Sequence, residues 1–223
     1  LRVLHWPGIS EPELERQERR DNVTTGFARL PDASAFRLTD LRVPACLIEG
    51  DAIPADRNGL ARVDLAVADG RVAAIEPAGM VAAEVGSVVS LDGGIALPRL
   101  VDAHVHLDKG HIWPRSPNPD GTFPGALNTV GADREANWSA GDVRARMDFS
   151  LRGAFAHGTA VMRTHLDSLG KQIGISWPVY AELRAEWAGR IALQASPLFG
   201  ADAALDPAHM QAIVAAVKAH GDN

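Results

Sequence analysis

Cysteine is nearly missing from this chain. Cys46 stands alone among 223 residues, so no intrachain disulfide framework can hold the fold. No run of 18 apolar residues occurs, and no membrane span is expected. The first residues, Leu1-Arg2-Val3-Leu4-His5, lack the apolar stretch of a signal peptide, and a cytoplasmic location is expected. Positive charge is in short supply: 22 Lys and Arg face 28 Asp and Glu, a formal net charge of −6. With no basic patch interleaved with aromatics, a nucleic-acid partner is not expected. A Gly-x-Gly-x-x-Gly loop, a Walker A loop and a Cys-x-x-Cys pair are all absent. Dinucleotide, P-loop and thiol-redox chemistry therefore have no sequence support.

What remains is globular. Apolar residues make up 46%, with 14 Pro and 21 Gly. The length suits one large domain, or a medium one plus a small one. Residues 1–34 read as an arm or leader, since Glu11 to Asp21 is mostly charged and suits a solvated helix. Residues 35–98 read as short strands forming a small antiparallel β layer with one face buried. Arg62 to Val67 alternates cleanly, and Asp69-Gly70 marks a hairpin before Arg71 to Ile75. Cys46, in Val43-Pro44-Ala45-Cys46-Leu47, reads as buried core.

From 99 to 223 the pattern changes to α/β. A strand runs into Asp102-Ala103-His104-Val105-His106, and residues 110–138 read as a long Pro-, Gly- and Asn-rich loop. Ser139-Ala140-Gly141-Asp142 is a capping signal, and Val143, Met147, Leu151 and Phe155 predict a helix that Gly158 ends. Strand 159–163, a helix over 176–187, strand 191–196 and a helix from Asp206-Pro207 follow. Alternating strands and helices predict a parallel sheet.

His104-Val105-His106 is the sharpest chemical feature. In a strand, residues i and i+2 share a face, so both imidazoles can reach one metal ion. Imidazole suits Zn and Fe(II). The bland reading, two unrelated histidines, stays open on the pair alone. His165 ends the next strand, where it can be structural, touch substrate, or orient a ligand. Lys109 can contact an anion or pair with a carboxylate. Trp113 and Trp138, in or beside the long loop, can wall a pocket or simply pack.

Pro98-x-x-Val101-Asp102-x-His104-x-His106 resembles the first-strand signature of the amidohydrolase superfamily, with Arg99 where Gly is usual. His104 to Lys109, with Arg163-Thr164-His165-Leu166-Asp167, is similar to the cytosine deaminase branch, which also holds triazine hydrolases. The resemblance covers roughly 35–200. It implies part of a (β/α)8 TIM barrel, about its first three βα units, preceded by the small β-sandwich. It also implies one divalent metal ion, Zn or Fe, with His104 and His106 as ligands. The implied reaction is metal-dependent hydrolysis of a C–N bond in a small N-heterocyclic or amide substrate. The family's catalytic glutamate, histidine and aspartate match no residue here and are expected beyond Asn223. Leu198 stands where the branch's cytosine-binding glutamine follows a Phe-Pro pair, which points away from cytosine. His165, Lys109 and Trp113 are the candidates for substrate contact or for supporting the ligands.

A (β/α)8 barrel takes roughly 250 residues. Three strands cannot close one. A second chain or segment supplying the rest, and a homo-oligomer, are therefore expected. Hydrolysis of an exocyclic amide or N-alkylamine on a triazine-like ring is one alternative. A truncated or non-catalytic homologue, inactive as an isolated chain, is the other. Exchange of His104 for Ala is expected to abolish activity in the complete protein; activity that survived with metal still bound would remove His104 from the ligand set.

Overall fold

The structure, a computed structural model, describes residues 29–50, 53–80 and 86–221. The charged stretch Glu11 to Asp21 lies outside them, and so does Asn223. The chain divides into two compact units, at Leu97 and Pro98.

The first unit is one four-stranded sheet. β1 (Ala35–Pro44), β2 (Leu60–Ala68), β3 (Arg71–Pro77) and β4 (Ser87–Ile95) lie in the order β3-β2-β1-β4. The β2–β3 hairpin turns on Asp69 and Gly70, with φ of 49° and 72°. Two successive positive φ values match the twist of a two-residue hairpin, which is what Asp-Gly favours. The expected all-antiparallel layer needs correction: β4 pairs with β1 in parallel. Alternation shows which face a strand buries but not its direction. The second layer of a sandwich is not present among the described residues. Leu41, Val43, Ala61, Val63 and Leu65 form this unit's core. Buried Asp64 accepts from Asp40 N at 3.0 Å and Gly79 N at 3.0 Å, serving the irregularity in β1 and the turn after β3. Cys46 is exposed, contrary to expectation. It falls in a 3-10 turn, Ala45–Leu47, that follows β1 and buries nothing.

The second unit is α/β. β5 (Leu100–Val105), β6 (Thr159–Asp167) and β7 (Ala192–Leu198) form a parallel sheet in the order β5-β6-β7. The sheet is open, not a closed barrel. Helices α1 (Phe123–Asn137) and α2 (Ala140–Ala156) lie between β5 and β6, α3 (Ile173–Glu186) lies between β6 and β7, and α4 (Pro207–His220) follows β7. Ser139 Oγ caps α2 by accepting from Asp142 N, as its capping signal predicts. Gly158, at φ 84°, ends it. Met162, Leu166 and Leu193 pack against Val143, Met147, Leu151, Trp177, Tyr180 and Leu183. Each fully buried large side chain contributes about 1.5–3 kcal/mol. Arg99, the departure from the usual glycine, donates to the carbonyls of Thr159 (3.4 Å) and Arg190 (2.5 Å) at the strands' N-terminal ends.

Helix α1 corrects the long-loop expectation for 110–138. Its apolar residues make no stripe: Phe123 is 75% exposed and Leu127 54%. It forms because Thr122 caps it, Pro124 opens it, and polar contacts hold its C-terminal half. The centre of these contacts is Asp133, buried, which accepts from Arg115 Nε (2.8 Å), Ser116 Oγ (2.9 Å), Asn137 Nδ2 (2.7 Å) and Trp138 Nε1 (2.7 Å). Trp138 is thus a packed core residue, not a pocket wall. Burial alone would push the Asp133 carboxyl up. The hydrogen bonds from Arg115, Trp138, Asn137 and Ser116 outweigh it and hold the group well below the usual carboxylate range. A depressed carboxyl stabilises fully above its unfolded value, near pH 4, and loses that contribution as pH falls through the folded value. Asp133→Asn is expected to cost roughly 3 kcal/mol at neutral pH and to flatten the acid limb of stability. Urea unfolding across pH checks this, and an unchanged midpoint at neutral pH would deny the network its role.

Candidate metal and substrate site

The sheet of the second unit has two unlike faces. Met162, Thr164 and Leu166 of β6 are buried under the helices. The alternate residues, Arg163 and His165, share the other face, with Gln194 and Ser196 in register on β7. His104 lies in β5 and His106 just past its end, so the histidines gather toward the strands' C-terminal ends.

His104 Nε2 and His106 Nε2 are 3.3 Å apart. Two imidazole nitrogens on one tetrahedral zinc at about 2.0–2.1 Å would lie about 3.3–3.4 Å apart. The pair therefore fits two adjacent positions around a divalent ion. The same separation also suits a hydrogen bond between the rings. His106 Nδ1 lies 3.3 Å from the main-chain oxygen of His165. Donation there leaves the His106 Nε2 lone pair free, as a ligand requires. Burial, with Lys109 nearby, lowers the His106 pKa and favours the neutral ring. Among the described residues no group of three or more His, Cys, Asp or Glu side chains gathers around a metal position. The donor set present is two nitrogens. The glutamate, histidine and aspartate expected beyond Asn223 have no counterparts at this site among the described residues.

His165 packs its ring 4.1 Å from that of His104, centroid to centroid. Its Nδ1 is 2.8 Å from Ser196 Oγ. Burial, then the charges of His104, Arg163 and Lys109, lower its pKa. Lys109 is a salt-bridge partner: its Nζ meets Asp167 Oδ1 at 2.7 Å. Asp167 also takes Arg134 of α1 at 2.9 Å. Trp113 is 64% exposed. His111 leaves the group for Ser150 Oγ at 3.0 Å.

Behind the histidines sits Asp108, fully buried. Its Oδ2 accepts from Asp167 N (2.8 Å) and Ser176 Oγ (3.2 Å). Burial, then the neighbouring Asp167, pushes it up to about 7. Leu107 N donates to Thr164 Oγ1 at 3.0 Å. Sequence reasoning missed Ser196, Arg134, Ser176 and the role of Asp108. Only strand register and helix docking bring them here. A groove of about 530 Å³, lined in part by Arg99, Ala160, Arg190 and Ile191, opens at the strands' N-terminal ends and includes none of the histidines.

No family model matches the chain. It is 48% identical over 195 residues to the pterin deaminase of Rhizobium rhizogenes, covering 87% of this chain and 44% of that protein. The chain thus spans less than half the length of this relative. Its fold is similar to that of 5-methylcytosine deaminase from Klebsiella pneumoniae, liganded with 5-fluorocytosine. There the TM-score is 0.62 and the identity 22%, over 83% of this chain and 42% of that one. N-isopropylammelide isopropylaminohydrolase from Burkholderia multivorans gives a TM-score of 0.58 at 24% identity, over 85% and 44%.

Asp167→Ala is expected to release Lys109 and Arg134 together. Hydrogen exchange in Phe123–Asn137 should quicken about tenfold while the packed α2 stays protected. Equal protection in both proteins would show that Asp167 does not hold α1.

Proposed function

We propose that the chain, 48% identical over most of its length to a pterin deaminase, is the metal-holding portion of a heterocycle deaminase of the amidohydrolase superfamily. The observation that carries this reading is the 48% identity to a pterin deaminase. The proposed substrate is accordingly a pterin-like 2-amino-4-oxo heterocycle. The reaction adds water at the ring carbon bearing the amino group, breaks that C–N bond and releases ammonia, leaving a carbonyl.

His104 and His106 would hold one divalent ion, zinc or iron. Such an ion, when bound, supplies Lewis acidity and lowers the pKa of water. Burial and the nearby Lys109 favour the neutral His106 ring, and the His165 carbonyl aims it. His165 would face the substrate. Trp113, with most of its ring exposed, is available to cover a flat heterocycle. Lys109, paired with Asp167, would set the local field rather than grip the substrate. Leu198 in place of an amide donor supports a ring other than cytosine. The remaining ligands and the acid/base groups would come from a second segment or chain that completes a (β/α)8 barrel, in a homo-oligomer. No helix of the described chain is long and apolar enough to cross a membrane.

The test uses the intact protein. Metal analysis should find about one tightly bound ion per complete site. Pterin should yield ammonia with metal present and none after chelation. An intact protein that was metal-free and inactive would overturn the proposal.

A further inference from the structure

Ser196 is within hydrogen-bond distance of the His165 ring and belongs to none of the ion pairs described above. The two residues are register partners on parallel neighbouring strands, so their side chains leave the same face of the sheet. Ser196 Oγ lies 2.8 Å from His165 Nδ1. The hydroxyl makes no other hydrogen bond among the described residues. The His165 ring also packs against that of His104, at 4.1 Å between centroids.

A neutral imidazole carries one N–H and one lone pair, and a serine hydroxyl can serve either. Accepting from an Nδ1–H would leave the hydroxyl proton of a half-buried serine without a partner. Donating to Nδ1 satisfies both groups. The second arrangement puts the ring proton on Nε2, which no group of the described chain engages.

We propose that Ser196 is a positioning residue that holds His165 as the Nε2–H form, so that His165 offers a fixed hydrogen-bond donor to an acceptor on the bound heterocycle. The acceptor is a ring nitrogen or a carbonyl oxygen. The substrate part of this inference rests on the deaminase reading above; the tautomer part does not. A site built with such a donor discriminates against rings that lack the acceptor, because the N–H is then left unpaired.

The test has two arms on the intact protein. In the first, ¹⁵N spectra of histidine-labelled protein are read, with the His165 signals assigned by His165→Gln. The expected result is a protonated Nε2 and an unprotonated Nδ1 in the native protein and in Ser196→Thr, and a mixture of forms in Ser196→Ala. In the second, turnover of pterin is followed. Ser196→Ala should raise KM about tenfold with metal content unchanged, and Ser196→Thr should restore it. An Nδ1–H form in the native protein, or a Ser196→Ala protein with unchanged spectrum and KM, would overturn the inference. A native protein that leaves pterin untouched would defeat the substrate reading, while the spectra still decide the role of Ser196.

Discussion

Asp108 is a buried carboxyl whose Oδ2 accepts the main-chain N–H of Asp167, and that bond ties the segment after β5 to the end of β6. Leu107 N on Thr164 Oγ1 adds a second tie across the same seam. β5 needs both. Its ladder to β6 is irregular after Asp102, so regular pairing alone would not set the strand's last residues. His106 lies between these ties and the strand end. Its distance to the His165 carbonyl, and so the aim of its Nε2, depends on this seam.

The cost of the arrangement is electrostatic. Asp108 and Asp167 are like-charged groups in a dry region, where an unbalanced charge is expensive. The structure offsets it twice. Burial and the neighbouring Asp167 push Asp108 up to about 7, which favours its neutral form and eases the repulsion. Asp167 is flanked by Lys109 and Arg134. Removing either cation would leave Asp167 under-compensated, so the two cations belong to the scaffold. Because Arg134 comes from α1, the same carboxylate couples the rim of the sheet to a helix with almost no apolar anchorage.

One side of the sheet carries the apolar packing and the other carries the polar side chains. Helices α2 and α3 bury Met162, Leu166 and Leu193 with a set of large side chains worth far more than any surface contact. That leaves the opposite face free to carry Arg163, His165, Gln194 and Ser196, which would be costly inside a packed core. Parallel sheets are usually covered on both faces. Here one face is polar and bears histidines, and it is the face on which the proposed function rests.

Residue order alone was enough for the periodic parts. Val143, Met147 and Leu151 announced α2, Asp69-Gly70 announced a hairpin, and His104 and His106 announced a shared face, because spacing of 3.6 or 2 acts locally. The same locality hid the rest. Helix α1 has no apolar stripe, and its warrant is Asp133 binding partners up to 18 residues away. Cys46 looked like core in an apolar run, but its backbone turns it outward. The parallel seating of β4 depends on a strand more than 40 residues earlier. The juxtaposition of Ser196 with His165, and of Arg134 with Asp167, is set by register and helix docking. These features had to wait for the folded chain, because each joins groups from different elements, and no single segment's propensity or pattern carries that information.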